Sequence, residues 1–446
     1  MLSGHRDTIV ALSTPPGRSG IAIVRMSGPR ALDIACRRIV APLTEQPRPA
    51  SLLHARAKLC WLNDLEGQRL DQAIVLAFHA PCSYTGEDVV EFHLHGSPWI
   101  VGRVLEDLGR EAEMALAGEF TRRAVEHGRM SLTQAEAALA LIESRSSLSH
   151  QLALRGLAGQ PGRLMQEFCD QLLNLISLVE AELDFAEHEI TPAPDDVLID
   201  AAQALSGKVR AWRESWRIGR LADGANVVLA GAPNAGKSTL MNALVGHDCV
   251  LVDAEPGTTR DSVSQSLRLG DLSATLWDTA GLHEADNRVE RLGMSRTREL
   301  LVRADLVLHL VAPGGHPLAE LLDDPRALLV WTKSDLLPPN ADMGGFVVSA
   351  KDGVGLEQLR AEMGSRLLSE DWQHLEMVVS HSRHHQLLGL ALEALQRFIT
   401  SISEGEDRAL TAANLHEALG CLGEILGWDN LEEIYPRIFA RFCVGK

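Results

Sequence analysis

The sequence predicts a multidomain α/β plus α protein: an α+β region, then a helical region that is discontinuous because an α/β domain is inserted into it. Three observations predict it. Gly231-Ala-Pro-Asn-Ala-Gly-Lys-Ser238 fits G-x-x-x-x-G-K-[ST] between a short apolar strand pattern, Asn226–Ala230, and a helical pattern, Ser238–Val245. That places a P-loop α/β domain in the middle of the chain. Apolar residues recur at helical spacing on both sides of it, and each helical half alone is short for an independent core. The 446 residues suffice for two to four domains. The boundaries read as 1–120 for the α+β domain, 121–220 and 371–446 for the helical halves, and 221–370 for the insert.

Composition narrows the function classes. Acidic residues number 60 against 42 basic, a formal net charge of −18, which argues against a large nucleic-acid grip owned by this chain. A local basic patch or a partner that supplies one is compatible with that balance. The seven cysteines are scattered and include no C-x-x-C, which suits a reducing cytosol rather than a disulfide framework or a zinc ribbon. The first residues carry no apolar signal core and no run approaches the length of a membrane span. The expectation is a soluble cytoplasmic protein without membrane contact.

In chain order, Thr8–Ala11 and Gly20–Arg25 read as strands around the Pro/Gly turn Thr14–Gly20. Ala73–Phe78 and Asp88–His95 read as further strands. In the last of these Glu91, His93 and His95 alternate onto one face; a polar pocket lining or a solvated face is preferred there to a metal site. Ser131 and Gln134 have the spacing of a capping box, followed by a stripe of Leu132, Ala135, Leu139 and Ile142. Leu164, Phe168, Leu172, Leu175, Ile176, Val179 and Leu183 continue at i, i+3, i+4 spacing; Thr191–Asp196 breaks it, and a further helix runs from about Asp196 to Ile218. Beyond the insert, Leu387, Leu388, Leu392, Leu395 and Ile399, then Leu415, Leu419, Leu422 and Leu426, mark two more helices. His381, His384 and His385 read as a solvated helix surface rather than a metal cluster.

Within the insert, Lys237 is placed to reach the β- and γ-phosphates and the Ser238 hydroxyl to hold Mg²⁺. Asp278-Thr-Ala-Gly281 follows the strand pattern Ser273–Trp277; its Asp suits a metal held through water and the Gly281 N–H a γ-phosphate. Trp331-Thr-Lys-Ser-Asp335 follows the apolar run Ala327–Val330, and the Asp335 carboxylate would accept from guanine N1–H and the exocyclic amine. Ser349-Ala-Lys351 follows Phe346–Val348 and would back the base. Four such signals in order at strand ends identify a guanine-nucleotide domain. Two departures stand out. Thr332 occupies the position where such motifs begin with Asn, so a looser hold on the base is expected. Leu282 stands where Ras-like switches carry a water-orienting Gln; Glu284, Glu290 or a monovalent cation near the P-loop are the candidates to replace it.

Over essentially its whole length the sequence resembles the MnmE/TrmE family, the GTPases of tRNA wobble-uridine modification. The resemblance is carried by Asp7-Thr-Ile-Val-Ala11, Thr14-Pro-Pro-Gly-Arg-Ser-Gly20, Ser83-Tyr-Thr-Gly-Glu-Asp88, Gly118-Glu-Phe-Thr121, Gln134-Ala-Glu136, Gly257-Thr-Thr-Arg-Asp261 and Phe442-Cys-Val-Gly-Lys446. It implies a homodimer formed through an N-terminal domain that binds a tetrahydrofolate one-carbon donor (5-formyl or 5,10-methylene). Arg25, Glu91, Arg129 and Lys446 would contact the folate. Arg129 stands where the family usually has Lys, and the two are not interchangeable; Ser131 replaces an acidic residue. The resemblance further implies GTP contacts from Asn234, Ala235, Gly236, Lys237, Ser238 and Thr239, from Asp253, Ala254, Glu255, Pro256, Gly257, Thr258 and Thr259, from Asp278, Thr279, Ala280 and Gly281, and from Thr332, Lys333, Asp335, Ser349, Ala350 and Lys351. Mg²⁺ would be held by Ser238 and Thr259, and K⁺ by the Asn234 side chain with the backbone of Asp253, Glu255 and Thr258. Glu290 would position the attacking water. Cys443 is the candidate for chemistry beside the folate, as nucleophile or proton carrier, or else it shapes the pocket.

The function so implied is a potassium-dependent GTPase that works with the FAD protein MnmG, in a heterotetramer, to install a 5-carboxymethylaminomethyl or aminomethyl group on tRNA. The alternative is a ribosome-assembly or RNA-binding GTPase switch without modification chemistry. Such a protein would carry an appended basic RNA-binding module, and none is evident. A pure signalling switch leaves the N-terminal pocket and Cys-Val-Gly-Lys446 without a purpose.

Overall fold

The computed structural model describes residues 7–41, 52–184, 193–246, 264–279, 299–336, 344–368, 370–428, 435–436 and 438–445. They form two compact units, Met1–Leu139 with Gly423–Lys446, and Ala140–Leu422.

The first unit is built on a seven-stranded sheet. Its strands are β1 (Ile9–Leu12), β2 (Ala22–Ser27), β3 (Ile39–Val40), β4 (Lys58–Asn63), β5 (Arg69–Phe78), β6 (Val89–Leu94) and β7 (Glu113–Met114), in the spatial order β3-β4-β5-β6-β2-β1-β7. All neighbours are antiparallel except β1 and β7. Along β2, Ala22, Val24 and Met26 are buried while Ile23 and Arg25 are partly exposed. The period of two therefore puts Arg25 on the face opposite the core. Its register partner across the ladder is Glu91 of β6. Helices Ala31–Arg38 and Pro98–Leu108 cover the core face through Ile34, Ala35, Val104 and Leu108. Helix Glu119–Glu126 follows, and then helix Leu132–Glu143. At the start of the latter the Ser131 N–H donates to Gln134 Oε1 (2.9 Å) and the Gln134 N–H to Ser131 Oγ (3.2 Å), the reciprocal pair that the sequence suggests. Leu132, Ala135 and Leu139 of its stripe bury against Tyr435, Phe439 and Phe442, but Ile142 is exposed, so the stripe is one residue shorter than expected.

In the second unit a six-stranded sheet has the order β13-β12-β11-β8-β10-β9, from β8 (Ala225–Gly231), β9 (Ser264–Leu269), β10 (Leu272–Asp278), β11 (Leu306–Val311), β12 (Ala327–Trp331) and β13 (Phe346–Val347). Only the edge strand β9 is antiparallel. β8 is central, flanked by β11 on one side and β10 on the other, so the strand order reverses there. In open sheets of this kind ligands sit in the crevice beyond the carboxyl ends of the strands at that point. Val227 and Leu229 of β8 share a core with Leu240 and Leu244 of helix Lys237–Val245 and with Leu359 and Met363 of helix Leu356–Leu367.

The helical part of this unit contains Ser147–Leu157, Gln160–Asp184 and Asp195–Glu214 before the sheet and Ser382–Ser403 after it. Asp195–Glu214 and Ser382–Ser403 pack together. The expected single helix to Ile218 instead breaks at Ser215 and resumes as Trp216–Arg220. The cause is visible: the buried Ser215 hydroxyl donates to Trp212 O (2.5 Å) and accepts the Val379 N–H (3.0 Å), drawing the segment 376–381 against the break. Two of the three histidines also differ from expectation. His384 is buried, and His385 stacks on Trp216 with ring centroids 5.3 Å apart. Among the described residues no group of three His, Cys, Asp or Glu could hold a metal, and no helix is long and apolar enough to cross a membrane.

Candidate functional site

The four nucleotide motifs arrive at one end of the second sheet because each follows a parallel strand. The loop after β8 turns through Asn234 (φ 62°) and Gly236 (φ 85°), both in the left-handed region that Gly and Asn tolerate best. Gly231 is needed for a different reason: a Cβ there would stand 2.4 Å from the Leu310 carbonyl oxygen of β11. Helix Lys237–Val245 begins on Gly236 with no side-chain cap. Its first N–H groups and dipole are thereby left to an anion.

Lys237 is 5% exposed, and its Nζ donates to the carbonyls of Gly231 (2.8 Å) and Ala232 (3.0 Å). Burial pushes this ammonium below the ordinary lysine value, with Asp278 pulling the other way. A desolvated cation wrapped by the P-loop gains most from a phosphate. The Ser238 hydroxyl donates to Asp278 Oδ2. A hydroxyl and a carboxylate so paired are the hard oxygen donors that Mg²⁺ takes, and the residues fit that ion. Thr279 is buried with its hydroxyl on Leu229 O (2.8 Å), which ties the segment after β10 to β8.

The loop after β12 leans on the P-loop through two residues. Thr332 Oγ1 donates to Ala235 O (2.7 Å) and Lys333 Nζ to Asn234 O (2.9 Å). Lys333 has φ 55°, a conformation that such a bond must hold in place. Asp335 is exposed, and Ser349 Oγ lies 3.3 Å from its Oδ1 and 3.0 Å from Asp352 Oδ2. Ala350 and Lys351 follow directly, and Thr239 is exposed beside Ser238. The structure thus brings together Asn234 to Thr239, Asp278, Thr279, Thr332, Lys333, Asp335 and Ser349 to Lys351. Asp253 to Thr259, Ala280, Gly281, Leu282, Glu284 and Glu290 lie outside the described residues. Sequence reasoning did not single out Asp352, although a carboxylate three residues after Ser349 is the pattern of a side-chain turn.

In the first unit Arg25 is the hub. Its Nε and Nη2 reach Glu91 Oε1 at 2.9 and 2.8 Å, and its Nη1 donates to Gly445 O at 3.3 Å. Its guanidinium lies 5.6 Å from the Tyr84 ring centroid and 5.8 Å from that of Phe120, within cation–π range. Residues 443–445 form one wall. The Ser13 hydroxyl donates to Gly445 O (3.0 Å), Val444 bridges to Ala117, and Cys443 is exposed with its carbonyl accepting the Gly118 N–H (3.4 Å). Gly445 has φ 99°, and a Cβ there would stand 2.2 Å from Leu12 O. Arg129 donates from Nε to Ser83 O (3.1 Å). Glu91 is thus shared between Arg25 and His93 (3.4 Å), while His95 turns away to Asp71 (2.7 Å). All three side chains of this strand face are committed to polar partners, as either a pocket lining or a solvated face would have them. Tyr84 and Ser13 join this cluster and were not named from the sequence; Tyr84 sits inside a motif that was, and Ser13 lies between two of them. Lys446 lies outside the described residues.

The family described as MnmE helical domain matches residues 132–443, and that described as GTP-binding protein TrmE N-terminus matches residues 8–129. Curated relatives named tRNA modification GTPase MnmE include one from Thermus thermophilus, 40% identical with 99% of each chain covered. Another from Halorhodospira halophila is 40% identical over 99% of this chain and 96% of its own. A third, from Akkermansia muciniphila, is 38% identical over 98% and 99%. With both units matched and near-complete coverage at these identities, the chain belongs to the MnmE (TrmE) family.

Proposed function

We propose that this chain is a GTP hydrolase of tRNA modification. In this reading K⁺ and Mg²⁺ assist turnover, and a tetrahydrofolate one-carbon unit bound at Arg25, Glu91, Arg129 and Lys446 supplies the carbon placed on a wobble uridine. The relatives named above are tRNA modification GTPases, and that activity is carried to this chain on the strength of its site. The observation that carries the reading is the convergence of Lys237, Ser238, Asp278, Thr332, Asp335 and Ser349 on one end of a parallel sheet at its point of strand reversal.

Each residue then has a chemical task. Lys237 opposes phosphate charge inside a low-dielectric loop, where such a contact is worth most. Ser238 with Thr259 would hold Mg²⁺, and Asn234 with the backbone of Asp253, Glu255 and Thr258 would hold K⁺. These ions supply positive charge to the phosphates. Glu290 orients water, and Asp335 accepts from the guanine edge. In the other unit Arg25 would hold an anionic or carbonyl edge of the folate, with Cys443 available from the neighbouring 443–445 segment. The domains divide at about residues 120, 220 and 370, and the protein acts in the cytoplasm as a homodimer with MnmG.

Two measurements test this. GTP turnover in KCl should exceed that in NaCl by at least about tenfold if a potassium ion supplies charge at the transition state, and equal rates would remove K⁺ from the scheme. Wobble uridines in tRNA from cells lacking the protein should be unmodified, and a normal profile would overturn the whole reading.

A further inference from the structure

We propose that Thr332 is a positioning residue, a strut between the base-reading loop and the P-loop, and that its single proton is used up in that role. Guanine N7 is consequently left unread by this loop. The inference rests on the guanine-nucleotide reading above and sharpens which edge of the base is recognised.

The argument is a count of donors. A threonine hydroxyl carries one proton. At 2.7 Å from Ala235 O and 3.4 Å from Val311 O, Thr332 Oγ1 places that proton on Ala235. The Thr332 backbone N–H is committed as well, to Val311 O at 2.9 Å. The residue is 4% exposed, so the bond is made away from water and its loss would leave the Ala235 carbonyl without this partner. Guanine presents N7 and O6 as acceptors on one edge and the amine as donor on the other. Thr332 has nothing left to give N7. The exposed Asp335 carboxylate is placed to accept from the opposite edge; the single proton of its neighbour Ser349 lies nearer Asp352 (3.0 Å) than Asp335 (3.3 Å), so both Asp335 oxygens keep accepting capacity. An asparagine at 332 would have two amide protons, one for Ala235 and one to spare.

The experiment is equilibrium binding of GDP and 7-deaza-GDP to the full chain and its variants. A net hydrogen bond changes affinity by about two- to tenfold, which sets the scale. The wild type should bind the two nucleotides within about twofold of each other; a tenfold preference for GDP would overturn the inference. Thr332→Asn should create a preference for GDP of about fivefold or more, and an unchanged ratio would overturn the donor count. Thr332→Val should weaken both nucleotides equally by about fivefold or more, with Thr332→Ser restoring them. Wild-type affinity in a folded Thr332→Val would overturn the strut, and melting curves establish which variants are folded. Asp335→Asn separates this inference from its premise: if it binds GDP as the wild type does, the guanine reading fails and the inference with it. If it loses GDP while 7-deaza-GDP binds poorly to the wild type, only the inference fails.

Discussion

Lys237 and His309 are both buried bases in the inserted domain, and burial is accommodated in opposite ways. Lys237 keeps donors on two P-loop carbonyls and Asp278 nearby. His309, 2% exposed on β11, accepts the Leu318 N–H on Nε2 (2.8 Å), which requires that nitrogen to be unprotonated, and burial holds its pKa below the ordinary imidazole value. The unfolded chain therefore binds a proton that the folded one resists, so stability is intact above the unfolded value near ~6.5 and falls as pH drops below it. His385, lowered by burial and by Arg213, adds in the same direction. Melting temperature should fall between pH 7.5 and 5.5, and His309→Gln should flatten that slope; an unchanged slope would clear His309 of the effect. At the other site, Cys443→Ser should abolish tRNA modification while sparing GTP hydrolysis, as read by nucleoside analysis and phosphate release. Intact modification would reduce Cys443 to a wall of the pocket.

Among the elements, those that the sequence displays plainly are the ones with uninterrupted patterns. The strand patterns at 226–230, 273–277, 327–330 and 346–348 appear within a residue or so as β8, β10, β12 and β13. Short elements with buried charge were not legible. Helix Ala31–Arg38 buries Arg38 against Asp107 (2.7 Å) and Glu111, so its inward face ends in a guanidinium and the apolar period fails. β5 starts four residues before its apolar run for a similar reason: Asp71 faces inward, holding the His95 N–H at 2.8 Å. The Thr332 strut was equally invisible, because one residue's neighbours in sequence do not reveal a bond to Ala235. β8 and β11 offer a test of how tightly these elements are set. Gly231→Ala would push a methyl into the Leu310 carbonyl, part the central pair, destabilise the fold by about 1–3 kcal/mol and weaken nucleotide binding. Denaturant unfolding at wild-type values would show that the ladder yields more easily than its spacing implies.

For the molecule as a whole, the periodicity announces an insertion into helices but not which segments pack together. Residues 435–445 belong with the first unit, where Phe439 and Phe442 meet Leu132 and where Gly445 meets Arg25 and Ser13. Helical texture carries no such information. Removing residues 443–446 should therefore eliminate folate binding, measured by calorimetry on the full-length background, and leave nucleotide affinity unchanged. Retained folate binding would disconnect this wall from the pocket. The pairing of Asp195–Glu214 with Ser382–Ser403 has a consequence during synthesis. The first helix leaves the ribosome about 190 residues before its partner is complete, which at ordinary translation rates is roughly 10–40 s. For that interval the side of Asp195–Glu214 that meets Ser382–Ser403 lacks its eventual cover, so the nascent chain is most in need of a chaperone while its nucleotide-binding insert is still being made.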